Sequence, residues 1–278
     1  MAVSGRLVVC PTPIGNLEDV TLRVLSALRE ADVIACEDTR RTRVLIERYG
    51  ASGELVPYHE RNERRQAAEL VERMRRGGTV ALVSDAGMPL VSDPGYVLVR
   101  ACVAAGVAVE VLPGPSAALA ALVASALPAD RWRFVGFLPR RRGELRAVLT
   151  EPGDTLVAFE SPHRLAATLA TLADLDPQRP VAVCRELTKL HEEVVRGTAQ
   201  ELAARFSERA PRGEVVLVVG APLERRSGAD DEPPAGLDAL VRLVDAGARP
   251  RAAAGVVAEL TGESANRLYR ALVTAREE

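Results

Sequence analysis

Ser84-Asp85-Ala86-Gly87-Met88-Pro89-Leu90-Val91-Ser92-Asp93-Pro94-Gly95 follows the apolar run Thr79-Val80-Ala81-Leu82-Val83 without a break. That run is short, uncharged and β-branched, the composition of a parallel strand buried on both faces. The polar segment is then the loop at the strand's carboxyl end, the edge at which open α/β sheets bind ligands. Its glycines allow close backbone approach and its prolines stiffen the loop. Asp85 and Asp93 can accept hydrogen bonds from a ligand's hydroxyls or amine. A second reading stands beside this one: an ordinary strand-to-helix turn in which Ser92 or Asp93 caps a helix starting near Pro94.

Outward from this loop the same alternation repeats. Strand Arg6–Cys10 runs into Pro11-Thr12-Pro13-Ile14-Gly15-Asn16-Leu17-Glu18-Asp19, which lacks both Gly-x-Gly-x-x-Gly and Gly-Lys-Ser/Thr, so no phosphate cradle is expected. Helix Thr21–Ala31 leads to strand Asp32–Cys36 and then Glu37-Asp38-Thr39-Arg40-Arg41-Thr42. Helix Thr42–Tyr49 and strand Leu55–Pro57 lead to Tyr58-His59-Glu60-Arg61-Asn62-Glu63. Helices Asn62–Arg76 and Pro94–Ala105 flank the central strand and loop, and strand Val107–Val111 ends in Leu112-Pro113-Gly114-Pro115-Ser116-Ala117. Ser116 opens an Ala-rich helix, and the free amides of a helix N-terminus suit a carboxylate. Five strands with intervening helices make residues 1–114 an α/β nucleotide-type domain.

Residues 115–222 form a second α/β block with strands at Arg133–Phe137, Thr155–Glu160, Pro180–Arg185, Val194–Gly197 and Glu214–Gly220, and a helix at Pro162–Leu172. Their close spacing predicts a mixed sheet, and the two sheets are expected to face a shared cleft. Residues 223–236 are polar and rich in breakers, hence a linker. Beyond them, Leu237–Ala246, Arg251–Leu260 and Ser264–Ala275 read as three short amphipathic helices, and Thr261-Gly262-Glu263-Ser264 fits helix-turn-helix spacing. Their charge is balanced, a weak basis for reading DNA, so docking onto RNA, a partner protein or the protein's own body is an equal alternative.

Composition narrows the class. Hydrophobic residues make up 47% and charged residues 27%, and the net charge of −2 argues against indiscriminate nucleic-acid binding through a global positive field. A local patch is present: Arg131, Arg133, Arg140, Arg141, Arg142 and Arg146 are opposed within their window only by Glu144. It reads either as a solvated face or as a mobile loop able to meet phosphates. Cys10, Cys36, Cys102 and Cys184 lack Cys-x-x-Cys spacing and read as buried reduced thiols, not zinc ligands or disulfides. The uncharged stretch Val111–Ala129 is interrupted by Pro113, Gly114, Pro115 and Pro128, which fits a core helix better than a membrane span. With no signal-peptide pattern at the N-terminus, a soluble cytoplasmic protein is expected.

Seven segments occur in a fixed order: Pro11 to Asp19, Glu37-Asp38-Thr39-Arg40, His59-Glu60-Arg61-Asn62-Glu63, Ser84 to Pro89 with Ser92-Asp93-Pro94-Gly95, Leu112-Pro113-Gly114-Pro115-Ser116, Phe159-Glu160-Ser161-Pro162-His163-Arg164 and Arg185-Glu186-Leu187-Thr188-Lys189. From about Arg6 to Gly220 the chain resembles the bacterial small-subunit ribosomal RNA methyltransferases that 2′-O-methylate a decoding-centre cytidine of 16S rRNA, within the tetrapyrrole methylase superfamily. Met88 stands where that pattern has a smaller polar residue. The resemblance implies a class III methyltransferase fold, two α/β domains forming a cofactor cleft, with a helix-turn-helix-like C-terminal domain. It implies S-adenosylmethionine as methyl donor, a homodimer, and 16S rRNA within the 30S subunit as substrate, with no DNA, membrane or metal.

Carried onto this sequence, the pattern assigns the cofactor to Pro13, Gly15, Asp85, Gly87, Met88, Pro89, Ser116 and Ala117, with Phe159, Leu187 and the Gly213-Glu214 strand start as walls. RNA contacts are expected at Arg40 and Asn62 and, from the basic run, at Arg140, Arg141 and Arg142. In-line methyl transfer to a ribose hydroxyl rests on alignment and on a base within about 3 Å of the hydroxyl. Glu37, His59, Glu63 and Lys189 are the candidates. Lys189 is the only lysine in the chain, and a desolvated lysine can be neutral where arginine cannot; its alternative is a salt bridge to Glu186 or Glu193. Two other functions are weighed: methylation of a small tetrapyrrole, and non-catalytic nucleic-acid binding by a regulator.

Overall fold

A computed structural model describes residues 5–151, 153–208, 211–222 and 233–277. The chain divides into two compact units, one ending at Ala221 and one beginning at Pro222.

The first unit opens with β1 (Arg6–Cys10), α1 (Leu22–Glu30), β2 (Val33–Cys36), α2 (Thr39–Tyr49), β3 (Glu54–Pro57), α3 (Glu63–Arg75), β4 (Thr79–Val83), α4 (Tyr96–Ala104) and β5 (Ala108–Val111). The strands lie in the order β3-β2-β4-β1-β5 and every neighbouring pair is parallel. β1 and β4 are buried beyond their first residues, as continuous apolar runs in a sheet covered on both faces must be. Leu7, Val9, Val80 and Leu82 pack against α3 and α4 on one face. Val8, Cys10, Ala81 and Val83 pack against α1 and α2 on the other.

The second half of this unit contains α5 (Ala117–Ser125), β6 (Trp132–Phe137), α6 (Arg142–Thr150), β7 (Thr155–Glu160), α7 (Leu165–Leu175), β8 (Pro180–Arg185), β9 (Glu193–Thr198), α8 (Ala199–Glu208) and β10 (Val215–Val219). The strand order is β6-β7-β10-β8-β9. Only β6 and β7 are parallel, so the sheet is mixed. Helix α5 covers the face bearing Val157, Ala182, Cys184, Val216 and Val218. Leu149 of α6, Leu169 of α7 and Leu202 and Phe206 of α8 cover the other.

Three local expectations change. Arg142 is the first residue of α6 and does not belong to a loop. Helix α8, absent from the sequence reading, buries Ala199, Leu202 and Phe206. Helix α4 starts at Tyr96 with Gly95 at its N-cap and no side-chain cap, so neither Ser92 nor Asp93 serves as one. All four cysteines are free and buried. Burial, with a smaller contribution from Glu110, pushes the Cys10 thiol up to about 12, far from the thiolate that ligates or reacts.

In the second unit, α9 (Leu237–Asp245), α10 (Pro250–Thr261) and α11 (Ala265–Glu277) share a small core of Leu240, Ala253, Ala254, Val257, Leu268 and Leu272. Glu263, in the turn between α10 and α11, pairs with Arg267 of α11 at 3.0 Å. Of the expected linker, residues 223–232 lie outside the described residues. Among the described residues no helix is long and apolar enough to cross a membrane.

Candidate functional site

Because β1 and β4 are parallel neighbours with Cys10 opposite Val83, the loops leaving their carboxyl ends run side by side. Thr12 and Gly87 exchange backbone hydrogen bonds, both 2.9 Å. The Thr12 hydroxyl donates to the Ser84 carbonyl at 3.0 Å, and the Ser84 hydroxyl donates to the Gly87 carbonyl at 3.0 Å. Gly87 has φ +79, and a Cβ there would sit 3.3 Å from Ile14, so the turn requires glycine. Leu90 and Ser92 also hold left-handed backbones, at φ 74 and 65. Two such non-glycine residues in one loop store strain of about 1–3 kcal/mol each, the kind of cost a fold carries at working sites.

These loops and the second sheet enclose a cavity of about 350 Å³. Ile14, Gly87, Met88, Asp93, Ser116 and Ala117 line one side, and Phe137, Phe159, Glu160, Gly213 and Val216 line the other. The Ser116 hydroxyl accepts a hydrogen bond from the Leu119 amide and caps α5 at the cavity's edge. Of the residues assigned to the cofactor from sequence, Gly87, Met88, Ser116, Ala117, Phe159 and Gly213 line this space. Pro13, Pro89 and Leu187 are buried elsewhere, Gly15 is exposed beside Thr188 and Lys189, and Asp85 lines a neighbouring cleft. Phe137, Glu160 and Ser161 are lining residues that the sequence assignment lacks; Glu160 and Ser161 stand beside Phe159 at a strand's end, the signal that could have found them.

The acids converge. Burial pushes Asp93 up to about 6, Glu37 and Asp85 add to the rise, and a hydrogen bond with Ser84 opposes it. Glu37 is also raised, by burial first and then by Asp85 and Glu60. Carboxylates so grouped favour a bound cation or a shared proton. Glu37, Arg40, His59, Arg61 and Asp85 line the neighbouring cleft, of about 530 Å³. There the Asp38 amide donates to Asp85 at 3.0 Å, and Arg41 lies 3.5 Å from the same carboxylate.

The four base candidates occupy different settings. Glu37 and His59 line that neighbouring cleft, and His59 Nδ1 is buried with no hydrogen-bond partner. Glu63 opens α3 and lines neither cavity. Lys189 Nζ lies 2.8 Å from Glu186 and 3.1 Å from Glu214. Burial acts to lower its pKa, but the hydrogen bonds to these two carboxylates outweigh it and leave the pKa raised. Lys189 is therefore an ammonium at neutral pH and has no lone pair to take a proton. Glu193, the other partner considered, pairs instead with Arg185 and Arg205. Glu186 also accepts the Glu214 amide at 2.9 Å, and the Thr188 hydroxyl accepts the Asn16 amide at 3.1 Å. The Glu186–Lys189 turn thus ties the loop after β1 to the start of β10, which is a cavity wall. Lys189→Ala is expected to raise the cofactor Kd about 3- to 10-fold, with kcat at saturation within about 3-fold of wild type and recovery in Lys189→Arg. A base would instead cost about 10²–10⁴ in kcat.

Among the residues assigned to RNA, the Arg40 guanidinium forks onto its neighbour Asp38 at 3.0 and 2.7 Å and holds that carboxyl down at about 2. Asn62 accepts the His59 amide and donates to the Pro57 carbonyl, both at 2.9 Å, so both ends of its side chain shape the loop. Arg141 pairs with Glu144 at 3.1 Å and Arg142 with Asp174 at 3.3 Å. Arg140 is exposed, with no acidic partner among the described residues.

The family described as Tetrapyrrole (Corrin/Porphyrin) Methylases matches residues 6–203. A protein of Mesorhizobium japonicum named Ribosomal RNA small subunit methyltransferase I is 45% identical over 96% of this chain and 90% of its own length. A Thermotoga maritima protein of the same name is 43% identical over 77% of this chain and 98% of its own length. Among solved structures, uroporphyrin-III C-methyltransferase from Thermus thermophilus complexed with S-adenyl homocysteine superposes with a TM-score of 0.56 at 25% identity, covering 78% of this chain and 97% of that one.

Proposed function

Since the chain belongs to the tetrapyrrole methylases, and among them to the ribosomal RNA small subunit methyltransferase I family, we propose that it transfers a methyl group from S-adenosylmethionine to a cytidine 2′-hydroxyl in the decoding centre of 16S rRNA. The observation that carries this reading is one cavity lined both by the N-terminus of α5, at Ser116 and Ala117, and by the carboxylate of Asp93.

The lining suits the cofactor. The amides at the start of α5 offer donors for its carboxylate. Asp93, backed by Glu37 and Asp85, offers negative charge on the side where the positively charged sulfur and its methyl group would lie. Ile14, Met88, Phe159 and Val216 offer an apolar slot for adenine, in a cavity of ordinary size for a small-molecule site. When bound, S-adenosylmethionine supplies a methyl group on a positively charged sulfur. Asp93 accepts the hydroxyl proton: a carboxyl near 6 is a stronger base than an ordinary aspartate and is still mostly ionised at neutral pH. Burial keeps it there, with repulsion from Glu37 and Asp85 adding to the effect. His59, Arg61 and Arg40 line the adjoining cleft, where the target nucleotide's sugar and phosphate approach.

A homodimer is supported by exposed apolar surface on the edge strand β5 and on α5, namely Val111, Leu119 and Val123, which a second copy would cover. A 30S substrate places the protein in the cytoplasm. The discriminating experiment offers labelled S-adenosylmethionine to unmodified 30S subunits and, in parallel, to a free tetrapyrrole. Label in the RNA sustains the reading, and label in the tetrapyrrole alone overturns it. Because Arg141 and Arg142 already have acidic partners, Arg140→Glu alone is expected to account for most of the RNA-affinity loss caused by reversing Arg140, Arg141 and Arg142 together. That loss is about tenfold at 0.1 M salt, with the cofactor Kd unchanged; equal loss of both affinities would make the segment structural.

A further inference from the structure

Strand β6 does not pair evenly with β7. Phe134 stands opposite Val157 and Phe137 opposite Phe159, three steps on one strand against two on the other. The extra residue is a β-bulge, and Gly136 accommodates it at φ +66, a conformation that glycine adopts without steric cost. In an unbroken strand, residues three apart point to opposite faces. The bulge returns Phe137 to the face of Phe134 and Phe159. The Phe159 ring meets both edge-on, at 5.0 Å from Phe134 and 5.4 Å from Phe137 between centroids. Phe134 and Phe159 are partly buried, whereas Phe137 stays 63% exposed on the cavity.

The ring stands on a fixed base. The carbonyls of Leu138 and Pro139 accept hydrogen bonds from the Arg164 guanidinium at 3.1 and 2.6 Å. Arg164 lies 3.5 Å from the buried carboxylate of Glu160. Arg140, exposed and without an acidic partner among the described residues, follows directly. An exposed aromatic ring followed three residues later by an exposed arginine offers the two groups that hold unpaired bases, a ring for the base and a guanidinium for its phosphate.

We propose that Phe137 is the stacking platform for an unpaired nucleobase of the RNA substrate, set at the methyl-donor cavity, with Arg140 taking an adjoining phosphate. The inference rests on the RNA-methylating reading above and specifies how the ribose is delivered: a base held on the rim fixes its sugar within reach of the cavity, and alignment is most of what the reaction requires. The test uses the full-length protein and unmodified 30S subunits. Phe137→Leu keeps apolar bulk without an aromatic face, and Phe137→Trp keeps the face. The leucine variant should raise the KM for 30S subunits about tenfold, the tryptophan variant should stay within about threefold of wild type, and both should bind S-adenosylmethionine with unchanged Kd. A weakened cofactor Kd with unchanged 30S KM would place the ring against the cofactor instead. Equal KM together with equal cofactor Kd in all three proteins would mean that it contacts neither. Failure of the underlying reading looks different, because wild type itself would then transfer no label to the subunit.

Discussion

Asp93→Asn is expected to lower kcat by about 10²–10⁴-fold, the range for loss of a general base, while making the protein more stable. The stability sign follows from the direction of the shift. Asp93 titrates near 6 in the folded chain, above its ordinary 3.8, because of burial and the neighbouring Glu37 and Asp85. The folded state therefore favours the protonated form. The stability this gives is full below about pH 4 and is lost as pH rises through about 6. At pH 8 wild type holds an ionised, half-buried carboxylate beside two others, and asparagine removes that repulsion. The variant should melt above wild type at pH 8 by about 2–4 °C, the shift that ~1 kcal/mol produces in a domain of this size, and the gap should close below pH 5. In the pH profile of kcat, measured at saturating cofactor, wild type should lose rate below about pH 6, and the residual rate of the variant should be flat there. An asparagine variant with full kcat would move the base to Glu37 or His59 in the adjoining cleft.

The second large effect concerns Glu160. Its side chain is fully buried and accepts hydrogen bonds from the Ser161 amide at 2.7 Å and the Thr168 hydroxyl at 2.6 Å, with Arg164 3.5 Å away. Glu160→Ala leaves the hydroxyl and part of the guanidinium uncompensated, at a cost of about 2–4 kcal/mol, which corresponds to a Tm lower by roughly 5–10 °C. Since Arg164 carries the carbonyls of Leu138 and Pro139, the same change should loosen the segment bearing Phe137 and Arg140 and weaken RNA binding. Glu160→Gln, which keeps an acceptor for Thr168, should recover about half of the stability. Urea unfolding of the three proteins measures this, and an alanine variant as stable as wild type would show that the carboxylate carries no structural role.

Much of the architecture is legible in the amino-acid sequence. The strands Arg6–Cys10, Thr79–Val83, Thr155–Glu160 and Pro180–Arg185 have the ends that the sequence indicates, because each is an apolar run closed by polar residues or proline. Helices α6 and α8 escape the same reading for a physical reason. Arg142-Gly143-Glu144 looks like a loop because its charges sit around a glycine, and α8 buries only Ala199, Leu202 and Phe206 among polar residues. The site is legible as loops but not as contacts. Asp85 meets Asp38 because β2 and β4 are adjacent in the sheet, and sequence order alone does not say so. Lys189 draws attention as the only lysine, yet its second partner depends on β8 and β10 pairing with Arg185 opposite Val215, which brings Glu214 beside Glu186. Phe137 reaches the cavity through a one-residue bulge, and no periodicity argument anticipates that.

The most direct test of the central claim is to locate the methyl group. Unmodified 30S subunits are incubated with labelled S-adenosylmethionine and the protein, and the labelled RNA is digested with nucleases and, separately, with alkali. Label is expected on the ribose of one decoding-centre cytidine, in a dinucleotide that resists alkali because its 2′-oxygen is blocked. Label on a base, or no label in RNA from a protein that binds the cofactor, would contradict it.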